Sequence, residues 1–193
     1  DGKYYVSVLF AYKETITQQK VEKVIGLDFS MKELYVDDEG GIPEYPRFYR
    51  KAQEKLSREQ RKLSKCEKGS NNRAKQRKRV AKLHKKVSNQ RKDFLHKQSR
   101  QITNAYDAVV VENLNMNDMS MALRFGKSVH DNGWGMFIRF LQYKLTEAGK
   151  QLVKIDKWFP SSKTCSVCGK KKPELSLAER IYQRNVKNSN KKI

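Results

Sequence analysis

Acidic residues are scarce in this chain of 193 residues: 21 Asp+Glu stand against 42 Lys+Arg, a formal charge of +21. A charge so far from zero repels itself without a polyanionic partner, so nucleic acid is the first expectation and an anionic membrane surface the second. Long apolar runs are missing too. No stretch reaches the roughly 18 residues a bilayer span needs, so nothing crosses a membrane. The start, Asp1-Gly2-Lys3-Tyr4-Tyr5, has neither a charged n-region nor an apolar h-region and is no secretory signal. Three cysteines make no even framework, which argues against a disulfide scaffold and fits a reducing cytoplasm. No internal repeat is found. The first residue is not methionine, so the chain reads as a piece of something longer or a processed product.

Hydrophobic residues make up 37% and aromatics 10%, enough for one domain, or one domain with a small appendage. Residues 3–13 are β-branched and aromatic and read as a strand. Val24-Ile25-Gly26-Leu27-Asp28 reads as a second and Leu34-Tyr35-Val36-Asp37 as a third, joined by a hairpin turn. Tyr106-Asp107-Ala108-Val109-Val110-Val111-Glu112 and Leu152-Val153-Lys154-Ile155-Asp156 are further short strands. Trp134, Phe137, Ile138, Leu141 and Leu145 recur at helical spacing before a capping Gly149. Residues 113–132 read as loop with a short helix, and the tail 184–193 as polar and frayed.

Between residues 44 and 105 the character changes. That stretch holds 21 Lys+Arg and 5 Asp+Glu, a net +16 out of the chain's +21. Phe48, Leu56, Leu63, Val80, Leu83, Val87 and Phe94 are helically spaced, and Lys68-Gly69-Ser70-Asn71-Asn72 interrupts them. The pattern predicts two long helices in an antiparallel hairpin with a narrow apolar seam. A solvated helix face usually mixes signs; this one does not, which points to a phosphate backbone lying along it. Arg73, Lys75, Arg77, Lys78, Arg79, Lys82, Lys85 and Lys86 are the candidate phosphate contacts, chosen by charge density.

Asp28 and Glu112 each end a short apolar strand. Were those strands neighbours, the two carboxylates would meet at one sheet edge, a setting that suits Mg²⁺, a hard cation preferring oxygen. A pair of such ions about 3.5–4 Å apart can activate water and stabilise the leaving oxygen of a phosphodiester. Strand-end acids are also common turn residues, and that plain alternative stays open here. Asp37 and Asp156 end strands as well and are weaker ligand candidates; Asp107, which begins its strand, reads as an edge or turn residue. Cys165-Ser166-Val167-Cys168-Gly169 has zinc-knuckle spacing, but a structural zinc site takes four ligands and no second CxxC follows. Cys66, His84 and His96 lie in the hairpin and His130 in a loop. Zinc is therefore not expected in this chain.

Together these motifs carry a resemblance. Ile25-Gly26-Leu27-Asp28, a basic helical insertion, Val110-Val111-Glu112-Asn113-Leu114-Asn115, then Trp134-Gly135 opening a helix, and then Phe159-Pro160-Ser161-Ser162-Lys163-Thr164-Cys165-Ser166-Val167-Cys168-Gly169 resemble the TnpB family. These are insertion-sequence proteins similar to the nuclease half of type V CRISPR effectors. The resemblance implies an α/β fold: a RuvC/RNase H-like mixed sheet with a basic helical-hairpin insertion and an incomplete zinc-ribbon-like knuckle. It implies the end of an N-terminal β-barrel module over 1–21, RuvC-like parts over 22–43 and 106–158, the hairpin over 44–105, half a zinc ribbon over 159–183 and a tail over 184–193. It makes Asp28 and Glu112 the first and second catalytic metal ligands, for Mg²⁺, and Cys165 with Cys168 half of a zinc site. It implies a guide RNA and a double-stranded DNA target as partners, no membrane, and a cytoplasmic, nucleoid-associated bacterial protein. The family pattern continues with a second CxxC and a DRD-like motif carrying a third catalytic Asp. Here the sequence reads Tyr182-Gln183-Arg184-Asn185-Val186-Lys187-Asn188 instead. The expectation is thus RNA-guided DNA binding with weak or absent cleavage, acting by target occupancy as in nuclease-dead TldR-type repressors. The alternative is an RNA-guided Mg²⁺-dependent endonuclease represented by a fragment.

Overall fold

A computed structural model of the chain describes residues 4–11, 13, 15–116, 118, 133–156, 158–165 and 168–174. The chain divides into two compact units, Asp1–Ile155 and Asp156–Ile193. In the first, strands β1 (Val24–Phe29), β2 (Tyr35–Asp37), β3 (Ala108–Glu112) and β4 (Gln151–Ile155) form one mixed sheet in the order β2-β1-β3-β4. β2 is antiparallel to β1, as a hairpin requires, whereas β1, β3 and β4 are mutually parallel neighbours. Parallel neighbours need long crossovers. The first is the helix pair α1 (Phe48–Lys65) and α2 (Asn71–Ala105); the second includes α3 (Trp134–Glu147).

Strand alternation decides which side of the sheet is covered. Ile25 and Leu27 of β1 and Val109 and Val111 of β3 turn to the helices. There they join Leu95 and Ile102 of α2 and Trp134, Phe137, Leu141 and Leu145 of α3 in one buried core. The α3 residues stand at i, i+3, i+7 and i+11, the spacing that keeps them on one stripe. Gly149, with φ 68°, ends the helix. The Lys150 N–H donates to the Leu145 carbonyl at 2.8 Å and the Gly149 N–H to Thr146 at 3.0 Å, a Schellman closure. A Cβ at Gly149 would also run into the Thr17 carbonyl, so glycine is required twice over.

The predicted helical hairpin is present. Its turn centres on 66–70, and Ser70 caps α2 by accepting the Arg73 N–H at 3.1 Å. Leu56 of α1 packs toward α2, where Gln76, Val80 and Val87 are buried. The Gln76 amide donates to the Glu59 carboxylate at 2.6 Å and to the Glu59 carbonyl at 3.0 Å. What the seam pattern missed is the second use of α2. Its first half pairs with α1, while Leu95 and Ile102 carry its second half onto the sheet.

One expectation is corrected. Residues 3–13 were expected to form a strand, yet the described residues 4–11 and 13 form none, and Tyr4, Val6 and Leu9 are 98%, 89% and 99% exposed. Strand propensity becomes a strand only where another backbone pairs with it, and none of the described residues does so. The short helix expected within 113–132 and the frayed tail at 184–193 fall largely or wholly outside the described residues, as does His130.

Candidate functional site

The β1–β3 register brings two of the predicted acids together. Leu27 pairs with Val111; one step further along both parallel strands stand Asp28 and Glu112. By alternation these two occupy the face opposite Leu27 and Val111, so they share the side of the sheet turned away from the helical core. Crowding around Asp28, and next the Glu112 charge, push the Asp28 carboxyl above the usual carboxylate range, while the Phe29 backbone N–H pulls the other way. The Asp28 side chain itself stays open to solvent. Two like charges this close gain most from a shared cation. One Mg²⁺ held by one or two carboxylates, with its other positions left to water and phosphate oxygens, is that ion's usual arrangement, so this donor set fits it. Among the described residues no group of three or more His, Cys, Asp or Glu side chains converges on a metal position.

The other strand-end acids serve the fold. Asp37 accepts the N–H of Glu39 at 3.1 Å and of Gly41 at 2.6 Å, closing the turn after β2. Asp156, in the second unit, accepts the Trp158 N–H at 2.7 Å. Asp107 accepts the N–H groups of Glu22 and Lys23 at 3.2 and 3.0 Å and pairs with Lys150 at 3.5 Å. Those bonds, Lys23 foremost, hold its carboxyl below the usual range. Asp38 lies over Gly26, where an added Cβ would meet the Asp38 Cβ at 3.7 Å.

The basic candidates differ in how they are placed. Lys75, Arg77, Lys78, Arg79, Lys82, Lys85 and Lys86 are exposed along the first half of α2. Arg79 reaches Gln76 at 3.5 Å, and Lys85 donates to the Tyr5 hydroxyl at 3.1 Å. Arg73 is partly buried, and its guanidinium donates to the carbonyls of Leu63 and Cys66, each at 3.1 Å. It thus completes the C-terminus of α1, a helix-end role that charge density alone does not distinguish from a surface cation.

Lys144 of α3 was not anticipated. It is 3% exposed, and its ammonium donates to the His96 carbonyl and the Ser99 hydroxyl, both at 2.7 Å, beneath the rings of Phe140 and Tyr143. Burial, and then the Arg100 charge, hold it below the ordinary lysine range. Its work is to tie α3 to α2. A lysine set between Tyr143 and Leu145 gives no hint of this from spacing, since charge at such a position reads as a break in the apolar stripe.

In the second unit the residues around Cys165 and Cys168 form a tight loop. Thr164 bridges Lys171 antiparallel, the Cys165 N–H donates to Lys170 at 3.0 Å, and the Gly169 N–H donates back to the Cys165 carbonyl at 2.9 Å. Cys165 is buried and Cys168 exposed. Two thiols are half of a zinc set, and the described residues bring no third ligand to them. Among the described residues no helix is long and apolar enough to cross a membrane.

Fold and site together define an α/β protein with paired acids at the end of parallel strands and a cationic helical hairpin inserted between those strands in sequence. The family OrfB_IS605, described as "Probable transposase", matches residues 7–122, and the "Cas12f1-like, TNB domain" matches residues 134–190. The chain belongs to the first of these, the TnpB family of insertion sequences that its motifs resemble. It is 33% identical over 182 residues to a Streptomyces pristinaespiralis protein named "Putative RNA-guided DNA endonuclease", covering 94% of this chain and 45% of that one. It is 28% identical over 197 residues to "Putative RNA-guided DNA endonuclease InsQ" of Escherichia coli K12, covering 94% of this chain and 49% of that protein. The chain thus spans about half the length of the curated relatives it matches. Its fold is similar to that of a chain in the "Cryo-EM structure of the Cas12f1-sgRNA-target DNA complex", with a TM-score of 0.50 at 20% identity over 82% of this chain and 34% of that one.

Proposed function

We propose that the chain is the sheet-and-hairpin part of a TnpB-type, RNA-guided DNA-binding protein, with a RuvC-like metal site at Asp28 and Glu112. The observation that carries this reading is the meeting of those two acids on the open face of the sheet, where the Glu112 charge helps to raise the Asp28 carboxyl. Asp28 and Glu112 would hold Mg²⁺ through their carboxylate oxygens; such an ion polarises a phosphate oxygen and makes bound water a stronger nucleophile. The sheet fixes both acids on adjacent strands, so neither has to reorganise when an ion or phosphate arrives. Lys75, Arg77, Lys78, Arg79, Lys82, Lys85 and Lys86 grip phosphates by charge, without reading bases. Sequence choice falls to pairing between a guide RNA and one strand of a DNA duplex, with the heteroduplex held through its backbone. The names of the relatives fit these partners, and the place of work is the bacterial nucleoid.

A second reading, target occupancy without cutting as in TldR-type repression, is favoured by one fact. Only two carboxylates converge among the described residues, and two-metal phosphodiester cleavage draws on a larger oxygen set. One experiment separates them. The protein is purified with its bound RNA and incubated with Mg²⁺ and a DNA duplex matching that RNA. Cutting that Asp28→Ala abolishes supports the nuclease. Tight, matched binding with no cutting supports occupancy. Heterogeneous cellular RNA in place of a uniform guide species overturns both.

A further inference from the structure

Two sets of side-chain contacts mark the two edges of the seam between α1 and α2. On one edge the Lys62 ammonium donates to the Glu59 carboxylate at 2.7 Å, and the Gln76 amide donates to the other Glu59 oxygen at 2.6 Å. The Arg79 guanidinium then donates to the Gln76 amide oxygen at 3.5 Å. This run of bonds crosses from helix to helix and puts Lys62 and Arg79 on the same edge. On the other edge the Gln60 and His84 side chains meet at 3.4 Å. Residues three and four apart share a helix flank. On α1, Lys55 and Lys62 stand at i−4 and i+3 from Glu59, and Lys51 and Arg58 continue their row. On α2, Arg79 stands three residues after Gln76, and Lys75, Lys82 and Lys86 continue its row. All the members of both rows are exposed. The opposite edge is thinner in charge. Beside Gln60 and His84 come Ser57, Ser64, Ala81 and Ser88, with Arg50, Arg61 and Arg77 dispersed among them.

We infer that the Glu59 edge of the hairpin is a two-rail surface for one nucleic-acid duplex, with the α1 row on one phosphate backbone and the α2 row on the other. This inference rests on the nucleic-acid reading of α2 made above. It adds the α1 cations to that reading and narrows the direct contacts of α2 to Lys75, Arg79, Lys82 and Lys86. From Lys51 to Lys62, and from Lys75 to Lys86, each row runs for about 16 Å. The rows stand on separate helices, which pack about 8–10 Å apart. A single phosphate chain can lie along one row, whereas two backbones bordering a groove can meet both. Single-strand sites also add aromatic stacking surfaces to their cations. Between these rows lie Leu63, Glu59, Gln76 and Leu83, none of them aromatic. Phe48, at the base of α1, is packed edge-on against Tyr45 and Phe94. The rows also lack counter-charge of their own. Glu59 is engaged already: the bonds from Lys62 and Gln76, and then the Arg79 charge, hold its carboxyl below the usual range. α2 carries no acid before Asp93.

The test titrates the full chain with an RNA–DNA heteroduplex of about 20 base pairs and reads the salt dependence of binding as a log–log slope. Lys51→Gln with Lys55→Gln, on the α1 rail, is expected to make the slope shallower by about two. Lys82→Gln with Lys86→Gln, on the α2 rail, should do the same, and the four together should take away about three to four. Arg50→Gln with Arg61→Gln removes the same charge from the other edge of α1 and should leave the slope where it was. Lys51→Arg with Lys55→Arg should keep the wild-type slope. A DNA single strand of the same length, meeting one rail at a time, should lose about half as much slope to the four-site variant. Equal losses from the Arg50 and Lys51 pairs overturn the rails, since net charge alone would then be acting. Equal losses for single strand and duplex overturn them too. So does a Lys51 and Lys55 variant of wild-type helicity that keeps the full slope; if the Lys82 and Lys86 variant still lowers it, the nucleic-acid reading of α2 stands. A slope that none of the variants changes brings down both.

Discussion

The two ends of the parallel strands hold the same kind of residue in opposite conditions. At the start of β3, Asp107 is surrounded by donors: two backbone N–H groups and Lys150 hold its charge in place, and its carboxyl lies below the usual range. At the ends of β1 and β3, Asp28 stands next to Glu112, and its carboxyl lies above it. Asp107 is a fastening, stitching residues 22–23 to the entry of the sheet. Asp28 has a second acid as its neighbour, and that neighbour adds to the cost of its charge. The contrast shows why an acid at a strand tip cannot be classed by its position alone. The hydrogen-bond and charge partners decide, and here they divide the acids by end.

The strongest way to break the contrast is to remove the platform both ends share. Leu141→Ala, in a fully buried α3 position, is expected to cost about 2–5 kcal/mol and to lower the melting temperature sharply. Thermal unfolding that hardly moves would mean the sheet does not depend on this helix. A narrower cut separates the ends. Asp28→Asn or Glu112→Gln should weaken Mg²⁺ binding by roughly tenfold or more, while the metal-free protein melts no lower than wild type because a like-charge contact has gone. Titration calorimetry and a melt without Mg²⁺ read the two halves of that claim. Asp107→Asn should do the converse, lowering the melting temperature and leaving Mg²⁺ affinity alone. The smallest effect is in pH. Asp107, with its lowered carboxyl, adds stability that is present above the unfolded-state value and is lost as pH falls through its folded value. Asp28, with its raised carboxyl, adds stability below the unfolded-state value that is lost as pH rises through its folded value. Stability measured from about pH 3 to 6 should therefore steepen in Asp28→Asn and flatten in Asp107→Asn. Parallel curves for the two variants would contradict the contrast.

Most of the sheet could be read from residue order because its strands are short apolar runs with an acid or glycine at the boundary. Val24–Phe29 and Ala108–Glu112 are of this kind. Their adjacency could not be read, since nothing in either run names its neighbour across 84 positions. Propensity failed at residues 4–13, where β-branched and aromatic side chains promised a strand and the pairing backbone was not among the described residues. Charge density located the hairpin surface but could not tell Arg73, bound to the end of α1, from the open lysines after it. Lys144 was hidden for a related reason. Its burial depends on Phe140 and Tyr143 beside it and on the carbonyl of His96, which belongs to another helix.

α2 is one unbroken helix of 35 residues, so the segment that covers the sheet and the segment that bears the open lysines are a single shaft. At 1.5 Å per residue it is about 52 Å long. A tilt of about 5° at its root, small enough to be absorbed by side-chain repacking, would swing its far end by ~4–5 Å, close to a full helical turn. Whatever settles or loosens the packing beside Leu95 and Ile102 is thereby magnified at the tip, and the sheet holds the handle of the lever.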